Sequence, residues 1–424
     1  MNKELHIGDR MKRIRLWKEW TLKETAAGIT SITNLKNVES KKYHPNPKWL
    51  IKLEKKFNLH AGFLMNWKEE DPNTRFILQQ IFYHNILDIH RAEILIHLIK
   101  ENYQQFLTSL KNETIFLLLY CIYCYKIGEN RKAKNILRKH LLINEMEEAY
   151  SENKDPLLRH SWLCLKGLQY NVDCCYDKSL YMLKKVSSLS KNVGVKAALH
   201  FEIALILKKI GKTYEMMVEA RKARKMYETL GKYHANEAEV LIFLSIQLIK
   251  MNHLEEAKEN IGKAGELIKE TNSKETMTGV LFTKGLIQTY HQNYDEAVEN
   301  LLLALDMQRE HHNKAFILEI YKAIKDIYLL QNKKIENYQL MENAIAEKDD
   351  DIYKREVLIA FYDFILTQDR SNKMIHELEN AVCFFEKENP LILTPDIYNS
   401  LGDYYFNRKK YKQAAIFFKK GHQM

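Results

Sequence analysis

Apolar residues along this chain recur every three or four positions and almost nowhere alternate with polar ones, a pattern that predicts α-helix nearly throughout. Breakers are scarce. Over 424 residues there are 14 Gly and 6 Pro. Residues 5–18 read as a first helix with Ile7, Met11 and Ile14 on one face and Arg10, Lys12, Arg13 and Arg15 around the other. Thr21 can cap a second helix, with Glu24 three residues on to complete a capping box, and Gly28 closes it. Ser31 can cap a third, in which Ile32, Leu35 and Val38 turn inward and Thr33, Asn34, Lys36 and Asn37 turn outward. Pro47 opens a fourth helix whose Leu50, Leu53 and Phe57 complete a small core, and AGFLMNW reads as a short fifth ending near Trp67. The polar run KEEDPNT then breaks the pattern. From Thr74 to about His90, a helix carrying Phe76, Ile77, Ile81 and Ile86 joins this first part to the rest.

The remainder repeats. At the C-terminal end Leu401, Gly402 and Tyr405, then Tyr411, Ala414 and Phe418, fit the tetratricopeptide pattern LGxxY followed by AxxxF. Looser copies lie upstream at forty-residue steps: Met217, Ala257, Ala297 and Asn337, and Met374 forty before Ala414. Gly128 with Ala133, and Gly167 with Ser179, mark earlier ones. The expected fold is therefore all-α: a five-helix helix-turn-helix domain over residues 1–68, a linker and linker helix over 69–90, and a right-handed tetratricopeptide-repeat α-solenoid over 91–424.

Charge sharpens that division. The net charge is +10, yet residues 1–68 hold 15 Lys and Arg against 6 Asp and Glu, while residues 69–424 hold 50 against 49. A cationic helix-turn-helix suits a phosphate backbone, and the short polar side chains on its outer face suit base edges in a major groove. The candidate DNA-binding residues are Ser31, Thr33, Asn34, Lys36 and Asn37, with Arg15, Lys41 and Lys42 as phosphate contacts. Two-fold operators are usually read by dimers, so a homodimer on double-stranded operator DNA is expected.

Glu24, Ala26, Gly28, Ile29, Ser31, Thr33, Leu35, Val38, Glu39, Lys42 and Pro45 fall at the spacing of ExAxGIxSxSxLxxIExxKxxP. This resembles the helix-turn-helix of the RNPP regulators, the Gram-positive peptide-pheromone receptors of PlcR and NprR type. The resemblance implies a pairing of Arg15 with Glu39. Two departures stand out. Leu22 replaces a usual Gln that touches a phosphate, and Lys36 stands where a small Ser is usual.

The first helix of every repeat pair should line a concave wall. Projecting the repeat onto it places Asn171, Glu202, Ile242, Ile246, Phe282, Leu286, Thr289, Lys322, Asp326, Asp363, Asn399 and Asp403 inward, a mixture of apolar pockets and backbone-pairing groups that suits a short extended signalling peptide. The resemblance points the same way.

Other chemistry is thinly represented. No Gly-rich phosphate loop, HExxH or GxSxG occurs, and neither a metal nor another cofactor is implied. Cys121 and Cys124 form a CxxC inside an apolar helix, where core packing outweighs a metal site. The N-terminus lacks a signal-peptide core, and no apolar run reaches the length of about 18 residues that a membrane span needs, so a cytoplasmic, non-enzymatic regulator is expected. Rap phosphatases, which share such a solenoid, act on response regulators through a Gln in an N-terminal helical bundle. Gln79, Gln80, Gln104 and Gln105 lie in the corresponding stretch, which keeps a Rap-like phosphatase or sequestering role as an alternative, beside a pure interaction scaffold.

Overall fold

The computed structural model describes residues 6–18, 20–66, 70–140, 152–271, 273–311, 314–347, 350–367 and 372–423, and contains no β-strand among them. The polypeptide packs as two compact units, Met1–Asn236 and Glu237–Met424.

The first unit opens with α1 (Ile7–Trp17), α2 (Leu22–Ala26), α3 (Ile32–Glu39) and α4 (Pro47–Phe57). Each starts on a side-chain cap: His6 accepts from Gly8, Thr21 from Glu24, Ser31 from Asn34 and Asn46 from Lys48. Such caps satisfy backbone donors that the first turn leaves unpaired. Ile7, Met11, Ile14, Ala26, Leu35, Val38, Leu50, Leu53, Phe57, Phe63 and Leu64 close a single core. The expected fifth helix does not form over its described part, since Ala61–Asn66 is a succession of turns, and Trp67 lies outside the described residues. Gly62 sits at φ +81°, which interrupts helical propagation. The buried Glu54 carboxylate then accepts from the backbone N–H groups of Gly62, Leu64 and Met65 at 2.9, 2.6 and 3.3 Å, fixing the turns in place of a helical ladder.

Next come α5 (Pro72–Leu87), α6 (Ile89–Glu101), α7 (Tyr103–Phe106) and α8 (Leu110–Lys126). The joining helix expected to run to His90 stops at Leu87. Asp88 takes an extended conformation there, and its carboxylate caps α6 through the Arg91 N–H. α8 pairs with α9 (Asn130–His140), and two further pairs complete this unit, Pro156–Val172 with Tyr176–Leu189 and Val193–Lys209 with Thr213–Leu230.

The second unit carries five more pairs. They are His234–Lys250 with Leu254–Thr271, Lys274–Tyr290 with Tyr294–His311, Lys314–Leu330 with Lys334–Ala346, Asp351–Thr367 (broken at Phe361) with Asn372–Glu388, and Pro395–Asn407 with Tyr411–Gln423. One physical rule recurs in both units. A residue with positive φ (Gly128, Cys174, Gly211, Asn252, Gln292, Asn332 and Lys409) ends the first helix of seven of the pairs. The next N–H reaches back to close that turn, as in His253 to the Leu248 carbonyl at 2.9 Å and Asn293 to the Gln288 carbonyl at 2.9 Å. Sixteen residues separate three of the repeat glycines from the side chain they face: a Cβ on Gly167 would lie 2.6 Å from Leu183, one on Gly285 2.7 Å from Leu301 and one on Gly402 2.5 Å from Phe418. The close crossing requires glycine.

Candidate nucleic-acid interface and inner-wall residues

Arg15 and Glu39 organise the N-terminal helices. The Arg15 guanidinium donates through Nε and Nη2 to the two Glu39 carboxylate oxygens, both at 2.7 Å, and through Nη1 to the Trp20 carbonyl at 3.1 Å. Both side chains are nearly buried. A bidentate ion pair in that setting locks α1 to α3. This corrects the expectation that Arg15 holds a phosphate: its donors face inward, and its part is to position α3.

On α3, Thr33 and Lys36 are exposed, and Asn34 and Asn37 are half-buried. Ser31 is committed as the cap, its Oγ accepting from the Asn34 N–H at 3.1 Å. Tyr43, which the sequence reading did not single out, donates its hydroxyl to Asn34 Oδ1 at 2.9 Å, while Asn34 Nδ2 donates to Thr30 Oγ1 at 3.4 Å. The Asn34 amide is thereby oriented. Lys41 sits at φ +63° just past α3 and pairs with Asp9 at 3.1 Å, whereas Lys42 is exposed. Behind them, Lys56 donates to the Glu24 and Ala27 carbonyls at the end of α2, the latter at 2.8 Å. The outward cations of this face are therefore Lys36 and Lys42, flanked by exposed Lys23 and Lys48.

α1 departs from expectation on its other side. Arg10, Arg13 and Arg15 are buried and not solvated. Arg10 donates to the carbonyls of Phe63 at 3.1 Å and of Leu107 and Thr108, lies 3.9 Å over the Phe63 ring, and faces Glu113 at 3.5 Å. Arg13 donates to Thr114 Oγ1 at 2.8 Å. The Tyr103 hydroxyl donates to Glu113, and burial together with that carboxylate pushes its pKa well up. Gln104 accepts from the His60 N–H at 2.9 Å. These contacts seat the four N-terminal helices on α7 and α8. Nothing in the local sequence announced them, because the partners lie about a hundred residues apart.

The predicted inner-wall residues separate by unit. In the first, Lys209 donates to Asn171 Oδ1 at 3.0 Å and Lys126 pairs with Glu202. In the second, Phe282 belongs to a buried cluster, with Ile246 and Leu286 packed against it, and meets Phe316 edge-on at 5.2 Å. Ile242 is equally buried and covers Gly279. The Thr289 hydroxyl donates to the Gly285 carbonyl of its own helix at 2.8 Å, which leaves its oxygen as an acceptor only. Lys322 pairs with Glu319. Asp326 and Asp363 converge on Lys325 at 3.1 and 2.7 Å. That lysine is 5% exposed and also donates to the Ala360 carbonyl. The sequence reading missed it because a lysine on the buried face of a helix has no periodic signature. Asn399 lies exposed beside Gly421, and Asp403 is exposed.

Cys121, Cys124 and Cys164 are buried and all six cysteines are free; burial pushes the Cys121 thiol well up. No cluster of potential metal ligands occurs among the described residues. No described helix is long and apolar enough to cross a membrane.

No family model matches the sequence. Over 415 residues the chain is 22% identical to the transcriptional activator NprA of Geobacillus stearothermophilus, spanning 94% of this chain and 98% of that protein. Among solved structures it resembles a Rap protein complexed with competence and sporulation factor, with a TM-score of 0.63 and 15% identity over 83% of this chain and 98% of the other. It also resembles the apo form of the quorum sensor NprR from B. thuringiensis, with a TM-score of 0.60 and 14% identity over 83% and 98%. At such identities the structures establish the helical-repeat fold alone, while the near-complete alignment with NprA carries the N-terminal helices too. With the motif spacing of α2 and α3 and the run of helix pairs behind them, the chain is similar to the RNPP regulators along nearly its whole length.

Proposed function

We propose that the chain is a transcription regulator that binds operator DNA as a homodimer through α3 and its flanking lysines, under the control of a short peptide held by the repeat pairs. The observation that carries the DNA reading is the outward face of α3. Thr33, Lys36 and the Tyr43-oriented Asn34 stand on it, rigidly backed by the buried Arg15–Glu39 pair, with Lys42 free at its exit. Oriented amides read adenine edges, and exposed lysines neutralise phosphates.

For the peptide, the second unit supplies an apolar stretch around Ile246, Phe282 and Leu286 and a charged one around Lys325, Asp326 and Asp363. Apolar anchors beside groups that pair with a peptide backbone or terminus fit an extended ligand of about five to eight residues. Calorimetry of the full chain against synthetic peptides, copied from the C-termini of small secreted reading frames beside its gene, tests this. Binding below about 100 μM that Leu286→Asp abolishes supports the reading, and no binding by any such peptide removes it.

The Rap-like alternative draws on the fold match to a Rap protein. Of its candidate glutamines, Gln104 is engaged with His60 and Asn58, and exposed Gln79 donates to Tyr83 at 2.7 Å. Together with the N-terminal helix-turn-helix, this favours the DNA-binding reading.

A further inference from the structure

The near-neutrality of residues 69–424 conceals a second concentration of positive charge. Residues 176–232 contain thirteen Lys and Arg against five Asp and Glu. They form three helices of the first unit, Tyr176–Leu189, Val193–Lys209 and Thr213–Leu230, away from the DNA-reading helix in sequence and unused by the proposed function.

A cleft of about 320 Å³ opens among these three helices, lined by Lys184, Ser187, Ser188, Lys196, His200 and Glu219, with Ile203 and Met226 as apolar wall. Lys184 is exposed and Lys196 half-exposed, and neither forms an ion pair among the described residues. His200 is held in place. Its Nδ1 lies 2.5 Å from Glu219 Oε2, and its Nε2 lies 3.5 Å from Ser187 Oγ. Burial pushes the Glu219 carboxyl up, but hydrogen bonds from Lys222 and His200 outweigh it and keep the carboxyl below its ordinary range. The carboxylate is thus ionised, taken up by Lys222 and His200, and fixes the imidazole with Nε2 directed to the serine side.

A serine, a histidine and a glutamate in line suggest a hydrolytic triad, but the geometry rejects it. Ser187 lies inside a helix, where neighbouring backbone N–H groups are spent on the helical ladder and cannot stabilise an oxyanion. Binding is what the arrangement can do. Two unpaired ammonium groups provide point charges for a phosphate, and the Ile203 and Met226 wall accepts an uncharged remainder. The volume suits a small molecule and not a macromolecule.

We propose that this cleft is a binding site for a small phosphorylated metabolite, held by Lys184 and Lys196. The test is calorimetric titration of the full chain with phenyl phosphate as probe, with benzoate as the carboxylate counterpart. Phenyl phosphate should bind once per chain, and Lys184→Ala with Lys196→Ala should weaken it at least about tenfold, as loss of charge-assisted contacts requires. Ser188→Asp, which places a like charge at the mouth of the cleft, should weaken it independently. Lys36→Ala with Lys42→Ala in the N-terminal helices should leave it unchanged. The site is overturned if phenyl phosphate fails to bind by about 10 mM, or if both cleft variants bind it as the parent does. Equal affinity for benzoate would overturn the assignment to phosphate.

Discussion

Removing either member of the Arg15–Glu39 pair leaves the other charge inside the N-terminal fold without its partner. Glu39→Ala should therefore lower stability by about 3 kcal/mol, read as a shift of the first urea transition, whereas breaking an exposed pair such as Lys322–Glu319 should change it by less than about 1 kcal/mol. Equal effects would mean that the buried pair does not hold α3. At this scale much was legible: Thr21 with Glu24 and Ser31 as a cap follow from spacing, and Arg15 facing Glu39 was implied by the resemblance to the RNPP regulators. The roles of Arg10, Arg13 and Lys325 did not. Their sequence neighbours suggest solvated faces, and partners 35 or more residues away, such as Thr114 for Arg13 and Ala360 for Lys325, convert them to buried anchors. For the same reason, half of the inner-wall positions carry committed contacts that periodicity could not reveal, Thr289 and Asp363 among them.

Elements stand or fall on their ends and crossings. Ser31→Ala removes the one side-chain acceptor at the start of α3 and should cost about 1 kcal/mol in chemical unfolding, and Ser31→Asp should preserve stability. In the repeats, Gly285→Ala forces a methyl to 2.7 Å from Leu301 and should destabilise by about 1–3 kcal/mol; Gly262→Ala, which meets nothing within 4 Å, should not. If both glycines tolerate alanine alike, the close crossing is not what fixes the pair. The repeat period was visible because helix–helix contact demands small residues at fixed intervals. The missing fifth helix was not, because Ala61–Asn66 has helical composition and is turned aside by Gly62 and by a carboxylate from Glu54.

For the whole molecule, buried phenols set an alkaline limit. Burial pushes Tyr103 well up, and Tyr123 and Tyr353 to about 12. Above pH about 10 the unfolded chain releases these protons while the folded chain keeps them, so the stability they contribute, complete below that pH, falls as pH rises through the folded values. Thermal midpoints should decline between pH about 10 and 12, and Tyr103→Phe should flatten the decline. An unchanged slope in that variant would exclude Tyr103 as a contributor. Assembly is a separate question, answered by light scattering: a homodimer is expected at micromolar concentration, and monomer alone, with and without DNA, would contradict it.

The central claim is that α3 and the lysines beside it meet DNA, and the salt dependence of binding to a duplex measures that contact without knowledge of the operator. Affinity should fall steeply and linearly with salt on logarithmic axes, and Lys36→Ala with Lys42→Ala should reduce the slope by about 1 per lysine removed in each protomer. Lys184→Ala with Lys196→Ala should leave that slope as it is. A slope unchanged by loss of Lys36 and Lys42 would contradict the account.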